Sequence, residues 1–141
     1  MNRYPNWPRQ LQQALQAARE AAFSWGENDC CLFAADCCVA ICGVDPAADY
    51  RGRYHTAVGA KRVLANTHGS LEAAWDACFE RVPVTQAMRG DVVLFDAPLG
   101  RCIGVVWSGG IWCVTEEGAA RAKAAPLIAW RVEARDEQNE E

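Results

Sequence analysis

Between Cys30 and Cys42 the chain carries one charged residue, Asp36, and five of its eight cysteines. A segment that is apolar nearly all round is stable as a helix only where other structure encloses it. The fold of this 141-residue chain therefore has to be assembled around a central helix that begins near Cys30. Asn28 or Asp29 is placed to cap its start, and Gly43 to end it. Cys37, Cys38 and Cys42 lie inside that helix, where a free thiol packs as a small hydrophobe. Cys30 falls at its head, where the helix dipole and unpaired backbone N–H groups favour thiolate.

The flanking segments say what encloses the helix. Leu11, Leu15 and Ala18 recur at helical spacing after Pro8, which predicts a helix from about Arg9 to Ala22 with Gln12, Gln13, Gln16 and Arg19 on its polar side. Asp45 to Tyr54, with Pro46 and Gly52, reads as loop, and Thr56 to Thr67 and Ser70 to Phe79 as helices separated by Gly69. After Arg81 the pattern changes to short β-rich runs at Asp91–Phe95, Ile103–Trp107, Ile111–Thr115 and Leu127–Val132, with Ser108-Gly109-Gly110 a tight hairpin connection. The expected class is α+β, helices first, then a small antiparallel sheet packed on the Cys30 helix, in one domain over residues 1–132 with a helical insert at about 45–80. The acidic stretch from Glu133 to Glu141 is expected to be a flexible tail.

Composition narrows the partners. With 51% hydrophobic and 23% charged residues the chain is globular in character, and a formal net charge of -4 excludes phosphate-backbone binding as its main work. No apolar run approaches the roughly 20 residues of a membrane span, and Met1-Asn2-Arg3-Tyr4-Pro5 lacks the apolar core of a secretory signal, so synthesis in the cytoplasm with reduced thiols is expected. Trp75, Trp107 and Trp130 read as core, Asp91 as a turn-stabilising carboxylate, and Arg51, Arg53 and Arg62 as solvated charge. His55 and His68 read as solvated loop histidines.

A nucleophile at the head of a helix packed against an antiparallel sheet is the papain-like arrangement. Trp25-Gly26-Glu27-Asn28-Asp29-Cys30-Cys31-Leu32-Phe33 resembles the nucleophile segment of NlpC-type cell-wall peptidases, and Arg89-Gly90-Asp91-Val92-Val93-Leu94-Phe95 resembles their first core strand. The likeness spans roughly Phe23 to Val132 and is nearest to small NlpC-like proteins encoded beside bacteriophage tail genes, the helical insert being typical of that group. It implies Cys30 as the nucleophile on an amide of a peptidoglycan stem peptide. In the active family a histidine opens the second core strand; here the run is Cys102-Ile103-Gly104-Val105, and Cys113 falls where a polar residue would orient that histidine. Loss of the imidazole removes the general base, a defect of ~10²–10⁴-fold.

The resemblance thus implies a tail-tip or tail-assembly component, carried in the virion tail, partnered by hub and tip proteins, and retaining the domain as a pseudoenzyme. The competing expectation is a cysteine peptidase or amidase acting on peptidoglycan, with Cys30 as nucleophile and His55 as substitute base; an acyltransferase would use the same chemistry. If Cys30, Cys102 and Cys113 converge, they either fill the vacated pocket or, with Cys31 or a partner's side chain, ligate Zn²⁺ or an iron–sulfur cluster.

Overall fold

The computed structural model of the protein describes residues 2–97, 100–116, 118–122 and 124–134. Among these residues four helices precede six strands: α1 (Trp7–Glu20), α2 (Cys30–Cys42), α3 (Ala57–Thr67), α4 (Leu71–Asp76), β1 (Glu80–Val82), β2 (Val92–Ala97), β3 (Gly100–Trp107), β4 (Gly110–Thr115), β5 (Gly118–Ala122) and β6 (Ile128–Arg131). Every pairing in the sheet is antiparallel, in the order β1-β6-β2-β3-β4-β5. The protein is α+β. No helix among the described residues is long and apolar enough to cross a membrane.

Helix α2 is enclosed as its composition requires. Leu32, Phe33, Ala34, Ala35, Cys37, Cys38 and Ile41 are all buried, and the helix packs on α1, β3 and β4. Alanine and cysteine on several sides let those neighbours come close. Of the two candidate caps it is Asp29 that serves, its extended backbone placing a carboxylate oxygen 2.9 Å from the Leu32 N–H. The last turn closes on Gly43, whose φ of 80° carries the chain into the left-handed region and lets its N–H reach the Val39 carbonyl. Helix α1 begins at Trp7 and lays Leu11, Leu15 and Ala18 against this core.

The segment between α2 and the sheet is fastened by short polar contacts. Thr56 and Ser70 cap α3 and α4 through their side-chain oxygens, and Arg51 bridges Asp36 and Asp45, each at 2.8 Å. Arg51 is thus paired within the fold rather than left as solvated charge. Helix α4 stops at Asp76, short of the expected Phe79, because the chain has to turn there to bury Phe79 and enter β1. His68 is half-buried and hydrogen-bonded through Nδ1 to the Tyr50 hydroxyl, not solvated as expected.

Alternation along the strands splits the sheet into two apolar faces. Val92 and Leu94, Ile103 and Val105, Val114 and Trp130 face the helices. Val93 and Phe95, Cys102, Ile111, Cys113 and Ala129 form the opposite cluster, to which Val82 of β1 and Ala122 of β5 also contribute. Every strand supplies that second cluster, and the single α2 residue that joins it is Cys30. Ser108 and Gly109 connect β3 to β4 with φ of 47° and 73°, the pair of left-handed residues that a two-residue hairpin turn needs. Strands β1 and β5 were not expected: Glu80-Arg81-Val82 is short and charged, and β5 is alanine-rich, so both owe their conformation to β6 and β4 beside them. Residues 135–141 of the expected tail lie outside the described residues, whereas the Ala134 N–H donates to the Asn2 carbonyl at 2.9 Å.

Arg3, near the start of the described span, and Arg131 and Val132, near its close, meet at Asp91. This carboxylate is 0% exposed and accepts from Arg3 Nη2 (2.8 Å), Arg131 Nε (3.0 Å), and the backbone N–H groups of Met88 (3.0 Å) and Val132 (3.1 Å). Arg3 also donates to the carbonyls of Arg89 and Val132. Gly90 has φ of 89°, and a Cβ there would stand 2.7 Å from Arg3 Nη1. The Arg89-Gly90-Asp91 run is therefore a structural knot: glycine makes room for Arg3, and aspartate holds it. Asp91→Ala leaves the buried Arg3 guanidinium without its counter-charge and is expected to cost about 3–5 kcal/mol, measured as a fall in the urea midpoint at unchanged slope.

Candidate functional site

The turn before α2 is built from its own polar residues. Ser24 and Asn28 exchange backbone hydrogen bonds, and the Asn28 side-chain amide donates to the carbonyls of Ala21 and Ala22, tying the turn to the end of α1. Asp29, 1% exposed, accepts from the Gly26 N–H and the Tyr54 hydroxyl on one oxygen and from the Leu32 N–H on the other, at 2.9, 2.6 and 2.9 Å. Gly26 sits at φ of 86°, and a Cβ on it would fall 2.0 Å from the Tyr54 carbonyl oxygen. Burial, then the hydrogen bond and charge of Asp29, push the Tyr54 phenol well above its ordinary range, so it keeps the proton it donates. Asp29 is thus both the cap of α2 and the anchor of the loop that carries Tyr54.

That anchoring fixes Cys30, the first residue of α2, which remains partly exposed. Its thiol packs against the cluster that holds Cys102 of β3 and Cys113 of β4, and the Cys102 S–H lies 3.9 Å from the Ile103 carbonyl oxygen. The three thiols form a row with Cys102 in the middle. A cysteine has one S–H to donate, so Cys102 serves the Ile103 carbonyl, Cys30 or Cys113, one at a time. Hydrogen bonds to its two neighbours, then burial, push the Cys102 thiol far up, and it holds its proton. The hydrogen bond from Cys102 and then one from the backbone of Ile103 draw Cys30 down from the usual thiol value, against burial and the charge of Asp29. Cys113 is drawn down by the same central thiol.

The other helix cysteines behave differently. Burial pushes Cys31, Cys37 and Cys38 well above the ordinary range and Cys42 upward. No disulfide joins any of the eight cysteines among the described residues. Among the cysteines of α2, chemistry that needs an accessible thiolate is thereby confined to Cys30.

The sequence-derived site residues separate into two groups. Cys30, Cys102 and Cys113 come together, whereas His55 is exposed beside the Gly26 turn, outside the set of groups that act on the Cys30 thiol, namely Cys102, Ile103, Asp29 and Cys113. No group of three or more His, Cys, Asp or Glu among the described residues is arranged to hold a metal ion. Cys30, Cys102 and Cys113 are accordingly not drawn together closely enough to form that ligand set among the described residues. Sequence reasoning missed Tyr54, because nothing in Arg51-Gly52-Arg53-Tyr54 signals a partner 25 residues away.

Residues 2–132 match a family described as a domain of unknown function (DUF6950), and the chain belongs to that family. No curated protein matches it. The matched span runs from the strand of chain beside Arg3 to Val132, so it contains the Asp91 knot and all three thiols of the row.

Two measurements check this geometry. Tyr54→Phe removes a buried hydrogen bond to a carboxylate and is expected to lower stability by about 1.5–3 kcal/mol in chemical denaturation. Alkylation of Cys30 by iodoacetamide followed against pH should show its inflection below that of a free thiol: thiolate is present above the lowered value and lost as pH falls through it. Cys102→Ala takes away the donor and should move that inflection upward.

Proposed function

We propose that this DUF6950 domain is a structural component of a bacteriophage tail tip, built on a papain-like frame of NlpC type in which a thiol has replaced the catalytic imidazole. The observation that carries the reading is the row Cys30–Cys102–Cys113, in which cysteines stand where the resemblance puts a base and its orienting residue. An acyl-transfer base has to take the nucleophile's proton and return it to the leaving amine. Cys102 holds its proton tightly and offers it to Cys30, so it stabilises a thiolate without supplying a proton acceptor. Supporting the frame are the capped helix with Cys30 at its head and the antiparallel sheet that follows it in sequence. The place in the tail, beside hub and tip proteins, rests on the likeness to NlpC-like proteins encoded with tail genes.

A second reading, a cysteine peptidase or amidase on peptidoglycan stem peptides, is favoured by one observation: Cys30 is partly exposed and drawn toward thiolate. The two readings part in a producing phage. Deleting the protein should leave particles with incomplete tails by electron microscopy, and the Cys30→Ala form should restore both tails and infectivity. Complete tails with infectivity lost in Cys30→Ala, together with release of new amino termini from peptidoglycan by the purified wild-type protein, would establish the peptidase and overturn the structural reading.

A further inference from the structure

Three thiols packed in one cluster, two of them buried and Cys30 partly exposed, are more than a filled pocket. We propose that Cys30 and Cys102 are a thiol–disulfide exchange centre, in which Cys30 attacks a low-molecular-weight disulfide and Cys102 resolves the product into a Cys30–Cys102 bond. The arrangement separates three roles. Cys30 lies at the head of α2 and is partly exposed, so a small disulfide meets it first. Cys102 is 6% exposed, on the face of β3 that Cys30 packs against. Cys113 is buried on the next strand, in the same cluster as Cys102.

The chemistry closes without any further reactant. Cys30 loses its proton to solvent; its thiolate then displaces one half of the small disulfide, forming a protein–small-molecule mixed disulfide and releasing a thiolate that is protonated from solvent. Cys113, as thiolate, accepts the Cys102 proton. The Cys102 thiolate attacks the Cys30 sulfur, the sulfur–sulfur bond forms between them, and the second small thiolate leaves with the proton returned through Cys113. Both electrons lost by the protein's thiols reduce the small disulfide, so one disulfide and two protein thiols become one protein disulfide and two small thiols. The raised pKa of Cys102 agrees with this order, because a thiol that keeps its hydrogen does not initiate exchange and needs a neighbouring base to resolve it. Cys37 and Cys38 take no part, being 0% exposed and pushed away from thiolate. The inference is independent of the tail reading and of peptidase activity.

The test uses the full reduced chain incubated with oxidised glutathione, quenched with iodoacetamide, and mapped by mass spectrometry of a non-reduced digest. An intramolecular Cys30–Cys102 peptide pair is expected. Cys102→Ser should arrest at a glutathione adduct on Cys30, and Cys113→Ser should still close but about tenfold more slowly, as the resolving thiolate becomes scarcer. A Cys30–glutathione adduct that persists in the wild-type chain, a Cys102–Cys113 link that leaves Cys30 reduced, or a Cys30 that glutathione disulfide does not touch would each overturn the proposal. The wild-type map decides the matter even where a variant fails to fold.

Discussion

Helix α2 has thirteen residues and one charged side chain, so it can turn only a narrow strip, at Asp36 and Val39, to water. Much of the molecule is placed to cover the rest. Helix α1 and strands β3 and β4 pack on it directly, and its alanines and cysteines set how closely they approach. Burying a helix to its first turn also buries its unpaired N–H groups, which then require a partner from inside the protein. Asp29 answers that requirement, and by doing so it brings a carboxylate into the interior beside Cys30.

Two buried aspartates, each preceded by a glycine turn, organise opposite parts of the fold. Asp29 gathers Gly26, Leu32 and Tyr54 around the start of α2, while Asp91 gathers Arg3, Met88, Arg131 and Val132. In each case glycine is needed twice over, for its positive φ and for the space a side chain would fill. The carboxylates differ in their partners. Asp91 is balanced by arginines; Asp29 is satisfied by neutral donors alone, and its charge acts on Cys30 against thiolate. Hydrogen bonding from Cys102 and Ile103 outweighs it. Cys102 can therefore favour a nucleophile at Cys30 while not doing what an imidazole in its place would do, taking the nucleophile's own proton near neutral pH.

Much of the local structure was legible in the order of residues. The enclosed helix, its stop at Gly43, the α1 stripe of Leu11, Leu15 and Ala18, the starts of α3 and α4, and strands β2, β3, β4 and β6 follow from periodicity and from residues with strong positional preferences. Strands β1 and β5 did not, since neither has the alternating branched or aromatic residues that mark a strand by itself. The end of α4 was misplaced because burial of Phe79, a tertiary matter, overrode local helical preference.

The sequence by itself determined that Cys30 heads a buried helix and that no histidine opens β3, both being properties of neighbouring residues. Only the tertiary structure decided what surrounds that thiol: a protonated Cys102 with Cys113 behind it, Tyr54 locked to Asp29, and His55 left at the surface. The reason is physical. Periodicity fixes which side of an element is apolar, but a hydrogen bond between residues 25 or 88 positions apart, such as Tyr54 to Asp29 or Arg3 to Asp91, exists only after the chain has closed the loop between them.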